Sequence, residues 1–113
     1  MLKLIEYMKI EQAQSIRHDW DKVKSWNYKL KHLSPYQSVV YAEITDDHGE
    51  VNTNDVERIY YIVDGEGEFI IGKEISKVVK DDVFTVPPHT IYNYHSLPGS
   101  VLKVVLIMEL WDN

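Results

Sequence analysis

The sequence predicts an all-β single domain, a sandwich or closed barrel with the jelly roll among the candidate architectures. Three observations carry this. Short runs rich in Val, Ile, Tyr and Thr recur along most of the chain, as in Tyr36 to Ile44 and Val101 to Trp111. Turn-forming clusters such as Thr45-Asp-Asp-His-Gly49 and Leu97-Pro-Gly-Ser100 separate them. At 113 residues the chain is one domain long, and no linker, repeat or low-complexity stretch divides it.

The elements follow in order. Leu2 to Ile10 alternates well enough for a first strand. Residues 11–35 carry no clear period, and Glu11 to Trp20 reads as a helical turn or an irregular arm. Tyr36 to Ile44 is a strand. Arg58 to Val63 is another, and Asp64-Gly65 then offers tight-turn chemistry leading back into Glu68 to Ile71. Gly72-Lys73 turns the chain into Ser76 to Val79, and Asp81-Asp82 separates that run from Val83 to Val86. Pro87-Pro88 ends the latter strand, because proline has no N–H for a sheet ladder. Thr90 to His95 and Val101 to Trp111 complete the set.

Composition narrows the function classes. With no cysteine there is no disulfide, thiolate metal site or cysteine nucleophile. The net charge is −6, and Lys22, Lys24, Lys29 and Lys31 are interspersed with acidic and aromatic residues rather than massed, so no nucleic-acid partner is expected. The first ten residues carry Lys3, Glu6 and Lys9 and lack the pattern of a signal peptide. The longest apolar run, Val104 to Met108, is too short to span a bilayer. A cytoplasmic protein with no membrane partner is the expectation.

Two stretches carry a resemblance. Arg58-Ile-Tyr-Tyr-Ile-Val-Asp-Gly-Glu-Gly-Glu-Phe69 resembles the first motif of the cupin superfamily, a strand ending in a Gly-Glu-Gly turn. Asp81-Asp-Val-Phe-Thr-Val-Pro-Pro-His-Thr-Ile-Tyr92 resembles the second, and their order and separation suit the family. The resemblance covers residues 36–111 and implies a cupin-like jelly-roll β-barrel. Residues 1–35 would then be an N-terminal strand and arm. It also implies a homodimer, with Leu2 to Ile10 as the strand to be exchanged.

Cupins usually hold a metal with three histidines and a glutamate. Matched position by position, the two histidines of the first motif fall on Asn52 and Asn54, the glutamate on Arg58, and the last histidine on Tyr92. A guanidinium is permanently cationic and cannot ligate, so no metal or other cofactor is expected at the ordinary place. A one-residue slip would turn Glu57 inward instead of Arg58 and bring His48, Glu50, Glu57 and His95 together as an alternative metal set.

Without the slip, Asn52, Asn54, Arg58, Tyr60, Tyr92 and Tyr94 are the candidate ligand-binding residues, and Tyr92 is the candidate acid. Arg58 either grips an anion or pairs with an internal acid such as Glu43 or Glu109. Asn52 and Asn54 either reach a ligand or make a turn. Whether a reaction is catalysed stays open. The readings are a small-molecule-binding cupin for a polar, anionic or sugar-like ligand, a metal-independent isomerase, epimerase or lyase, and a metal enzyme with displaced ligands.

Overall fold

The structure, a computed structural model, describes residues 8–30 and 38–108. Its strands are β1 (Ile16–Trp20), β2 (Val23–Lys29), β3 (Ser38–Ile44), β4 (Val51–Asn52), β5 (Arg58–Asp64), β6 (Glu66–Ile71), β7 (Glu74–Val79), β8 (Val83–Val86), β9 (Ile91–Ser96) and β10 (Leu102–Met108). They form two antiparallel sheets, one in the order β1-β2-β3-β10-β5-β8 and one in the order β4-β9-β6-β7. Among the described residues no helix is long and apolar enough to cross a membrane.

Strict alternation places the core between the sheets. In β3 the buried residues are Ser38, Val40, Ala42 and Ile44, and in β10 they are Leu102, Val104 and Leu106. The opposite sheet turns Phe69, Tyr92 and Tyr94 towards them. Phe69 lies flat against Tyr94 at 4.6 Å and against Phe84 at 4.3 Å, and Tyr60 meets Phe69 edge-on at 4.9 Å. Such aromatic pairs stabilise by about 0.5–1.5 kcal/mol each beyond the area they bury, so this buried cluster contributes strongly to the core.

Two expectations need correction, and a third falls mostly outside the described residues. Of the two readings of Glu11 to Trp20, the helical turn holds only for Gln12–Gln14, and the described residues that follow are strands rather than an irregular arm. A short 3-10 turn, Gln12–Gln14, leads into the β1–β2 hairpin, which adds two strands to the larger sheet through the pairing of β2 with β3. The strand expected over Leu2 to Ile10 falls mostly outside the described residues, and Met8 to Ile10 belong to no strand. The proposed exchange between subunits falls on the same segment.

Asp64-Gly65, finally, does not close a hairpin. β5 pairs with β10 and β8, whereas β6 pairs with β7 and β9, so the dipeptide is a corner at which the chain changes sheets. Gly65 has φ +85°, and a Cβ there would lie 2.1 Å from the Val101 carbonyl oxygen. Only glycine fits both the conformation and the approach.

Candidate functional site

A cavity of about 260 Å³ lies between the sheets. His18 and Trp20 of β1, Ser25 and Asn27 of β2, Arg58 and Tyr60 of β5, Tyr94 of β9 and His48 from the loop before β4 form its polar and aromatic lining. Val40, Ala42, Val51, Leu106 and Met108 complete it. No carboxylate lines it, and Arg58 is its one permanent charge among these residues.

His48 is held on every side. Its backbone N–H donates to the Tyr94 carbonyl at 2.9 Å, and its carbonyl accepts from the Trp20 indole at 3.4 Å. Its ring stacks on Tyr94 at 4.4 Å and meets the Trp20 ring edge-on at 5.2 Å. Nδ1 lies 3.0 Å from the Gly49 carbonyl oxygen. A carbonyl only accepts, so Nδ1 carries the proton and Nε2 holds the lone pair. Burial, reinforced by the Arg58 charge, lowers the His48 pKa and keeps the ring neutral near neutral pH. The loop itself is anchored by Asn93, which accepts from the Gly49 N–H at 3.0 Å and donates to Asp47 at 2.9 Å.

Opposite stands a chain of phenols. The Tyr60 and Tyr92 hydroxyls hydrogen-bond to each other, and Arg58 donates to the Tyr92 hydroxyl at 3.3 Å. Burial raises the pKa values of Tyr60, Tyr92 and Tyr94, so all three are proton donors at neutral pH. At Tyr92 the Arg58 charge opposes that rise. Tyr92 is buried behind Tyr60 and does not line the cavity, so its hydroxyl orients Tyr60 and Arg58. Arg58 meets no carboxylate among the described residues. Glu43 instead accepts from Tyr41, at 2.9 Å.

The sequence-derived candidates divide accordingly. Arg58, Tyr60 and Tyr94 come together at the cavity, with Tyr92 behind them. Asn52 and Asn54 are exposed and make a turn in which Asn52 Oδ1 accepts from the Asn54 N–H at 2.9 Å. Asn54 has φ +56°, a left-handed conformation that asparagine tolerates.

The slipped metal set does not assemble. His95 lies on the outer side of β9 and pairs with Glu68 at 3.0 Å, Glu50 is exposed, and neither Glu50 nor Glu57 lines the cavity. Among the described residues no group of three or more His, Asp or Glu side chains is placed to hold a metal ion. Arg58 and Tyr92, which the motif matching sets at two of the ordinary cupin ligand positions, are hydrogen-bonded to each other, and neither a guanidinium nor a neutral phenol suits a divalent metal.

The β1–β2 wall and the lining role of His48 had no signature in the sequence. β2 turns Val23, Ser25 and Asn27 inward, a row with two polar members of three, which erases the usual apolar alternation. His48 sits in a loop whose Asp-Asp-His-Gly composition reads only as a turn.

No family model matches the sequence, and no curated protein matches it. Solved structures do. The nucleoside dehydratase Pac13 of Streptomyces is 23% identical with a TM-score of 0.77, over 95% of this chain and 86% of that one. KdgF from Halomonas sp. is 16% identical with a TM-score of 0.75, over 95% and 97%. A predicted oxalate decarboxylase from Thermotoga maritima is 14% identical with a TM-score of 0.74, over 92% and 100%. At these identities the likeness concerns the backbone. With the two sheets, both motif strands and the cavity between them in place, the chain has the cupin fold.

Proposed function

We propose that this chain is an acid–base lyase for a nucleoside-like molecule, with His48 as base and the phenols of Tyr60 and Tyr94 as proton donors. The observation that carries this reading is the neutral His48 ring, its Nδ1 proton tied to Gly49, in a cavity that also holds two buried phenols and no carboxylate. Nε2 takes a proton from a carbon beside a carbonyl. The electron pair forms a carbon–carbon double bond, and the neighbouring hydroxyl leaves as water with a proton from a phenol, which the imidazolium restores. Nothing is oxidised or reduced. Arg58 anchors an oxygen of the ligand and, through Tyr92, holds Tyr60 in place.

The likeness to the Streptomyces dehydratase adds a parallel. That protein has been solved with uridine in variants that replace two tyrosines by phenylalanine or a histidine by glutamine. Those tyrosines stand thirty-four positions apart, and the histidine thirteen before the first. Here Tyr60 and Tyr94 are also thirty-four apart, with His48 twelve before Tyr60. At about 260 Å³ the cavity lies just below the usual range of ligand pockets, which start at about 300 Å³, so it limits the ligand to a small molecule.

The test uses a nucleoside oxidised to a carbonyl on its sugar, incubated with the protein in heavy water and followed by NMR. Deuterium uptake at the adjacent carbon, or loss of water, is expected with the wild type and not with His48→Gln. Turnover that His48→Gln leaves intact would sink the proposal.

A second reading, a receptor for a polar, anionic or sugar-like molecule without catalysis, is favoured by one observation, the absence of a described carboxylate on Arg58. It predicts thermal stabilisation by sugar phosphates that Arg58→Ala abolishes, with no chemistry on any bound compound.

A further inference from the structure

The β1–β2 wall contains a hydrogen-bond relay that ends in an acceptor with no donor among the described residues. Ser25 and Asn27 lie on the inward face of β2 and are 2% and 8% exposed. The Ser25 hydroxyl donates to the His18 carbonyl, which leaves its oxygen free to accept. The Asn27 amide nitrogen donates to that oxygen at 3.1 Å and to the Ile16 carbonyl at 3.0 Å. Since a backbone carbonyl only accepts, the nitrogen end of the amide is fixed, and both of its N–H bonds are committed. Oδ1 is the remaining end, an acceptor with two lone pairs. No described group donates to it. Every fully buried side-chain nitrogen or oxygen among the described residues has a partner. Oδ1 is therefore open to the hollows that Asn27 borders, the cavity and a groove beside Ile16 and Lys29.

Of these two hollows, the cavity is the one lined by aromatic rings. The Trp20 indole is held by the His48 carbonyl, and its ring lies 5.3 Å from His18. A planar group packed along these aromatic faces, with an N–H towards Oδ1, would satisfy both features of the wall. Asn27 cannot serve a ligand that presents another acceptor, because its two donors are already engaged within the hairpin.

We propose that Asn27 is a specificity residue whose Oδ1 accepts a hydrogen bond from the ring N–H of an oxo-pyrimidine, the base of the ligand. This rests on the nucleoside reading above and adds to it the class of base, a uracil-type lactam. The chemical steps at His48 do not depend on it.

Calorimetric titration of the full chain with uridine, and with uridine methylated on its ring nitrogen, separates the possibilities. Uridine is expected to bind about 10- to 100-fold more tightly, the cost of leaving a sequestered acceptor unpaired. Asn27→Ala should bring the two ligands to near parity, whereas a purely structural role would weaken both alike. If circular dichroism shows that variant unfolded, Ser25→Ala, which releases the amide to turn, should narrow the gap instead. Equal binding of the two ligands by the wild type overturns the assignment of Asn27 and leaves the nucleoside reading standing. Binding of neither overturns both.

Discussion

The two walls of the cavity are built by different rules. The wall formed by Tyr60 and Tyr94 is backed by Phe69 and Tyr92 in one packed aromatic cluster between the sheets, each residue at most 2% exposed. The β1–β2 wall hangs on the edge of the larger sheet, held by β3 on one side, with Ile16 and Trp20 partly in solvent. The first wall holds phenols and a guanidinium in one packed, hydrogen-bonded cluster, the kind of fixed geometry that acid–base chemistry requires. The second presents a flat ring and a lone acceptor, which is what recognition requires. The difference teaches that reaction and selection can be carried by separate elements of so small a chain, and that damage to one need not disable the other.

The strongest way to break this division is Phe69→Ala. It removes the ring against which Tyr94, Tyr60 and Phe84 pack, and should cost about 3–5 kcal/mol in urea denaturation. An equal loss from a hairpin variant such as Trp20→Ala would show that the aromatic wall is not the more rigid of the two. Next in size, His48→Gln should lower kcat/KM by about 10²- to 10⁴-fold while uridine affinity in titration stays close to wild type. Trp20→Ala should do the reverse, raising the Kd for uridine about tenfold with kcat little changed. A matching fall in kcat would place the indole in the chemistry, by way of its bond to the His48 carbonyl.

The smallest effect concerns pH. The base needs neutral His48, whose pKa is held below the ordinary histidine value of 6.5, so kcat/KM should stay level as pH falls through 6.5 and decline only below it. In the unfolded chain the same ring takes its proton near 6.5. Acid therefore favours the unfolded state: the His48 contribution to stability falls as pH drops below 6.5 and levels off under the folded pKa. An acid limb unchanged in His48→Gln would assign it to another group.

Most strands between Ser38 and Met108 were legible in the sequence because one face of each is apolar and the other wet. Val83–Val86 agrees with the expectation to the residue, bounded by Asp81-Asp82 and Pro87. The hairpin was not legible, for the reason that makes it useful. Ser25 and Asn27 sit where a core strand would carry aliphatic side chains, and Trp26 and Tyr28 lie on the outer face. A strand that lines a cavity reads as a loop. The Asp64-Gly65 corner was read as a hairpin because the glycine signal is the same for both, and only the distant Val101 carbonyl distinguishes them. At the site, Arg58 was accessible through its place in the first motif, whereas His48 acquires meaning only from Gly49, Tyr94 and Trp20 around it.

β10 is the last described strand in chain order, yet it lies in the middle of the larger sheet, between β3 and β5. During synthesis β3 and β5 therefore leave the ribosome long before the strand that joins them. Until Leu102–Met108 emerges, the hairpin with β3 and the pair β5 with β8 can form only as separate fragments, each with an unpaired apolar edge. The larger sheet is complete only when β10 lies between them, so a chain stalled short of residue 102 carries every residue of the proposed acid–base set but lacks the strand that joins the two halves of that sheet.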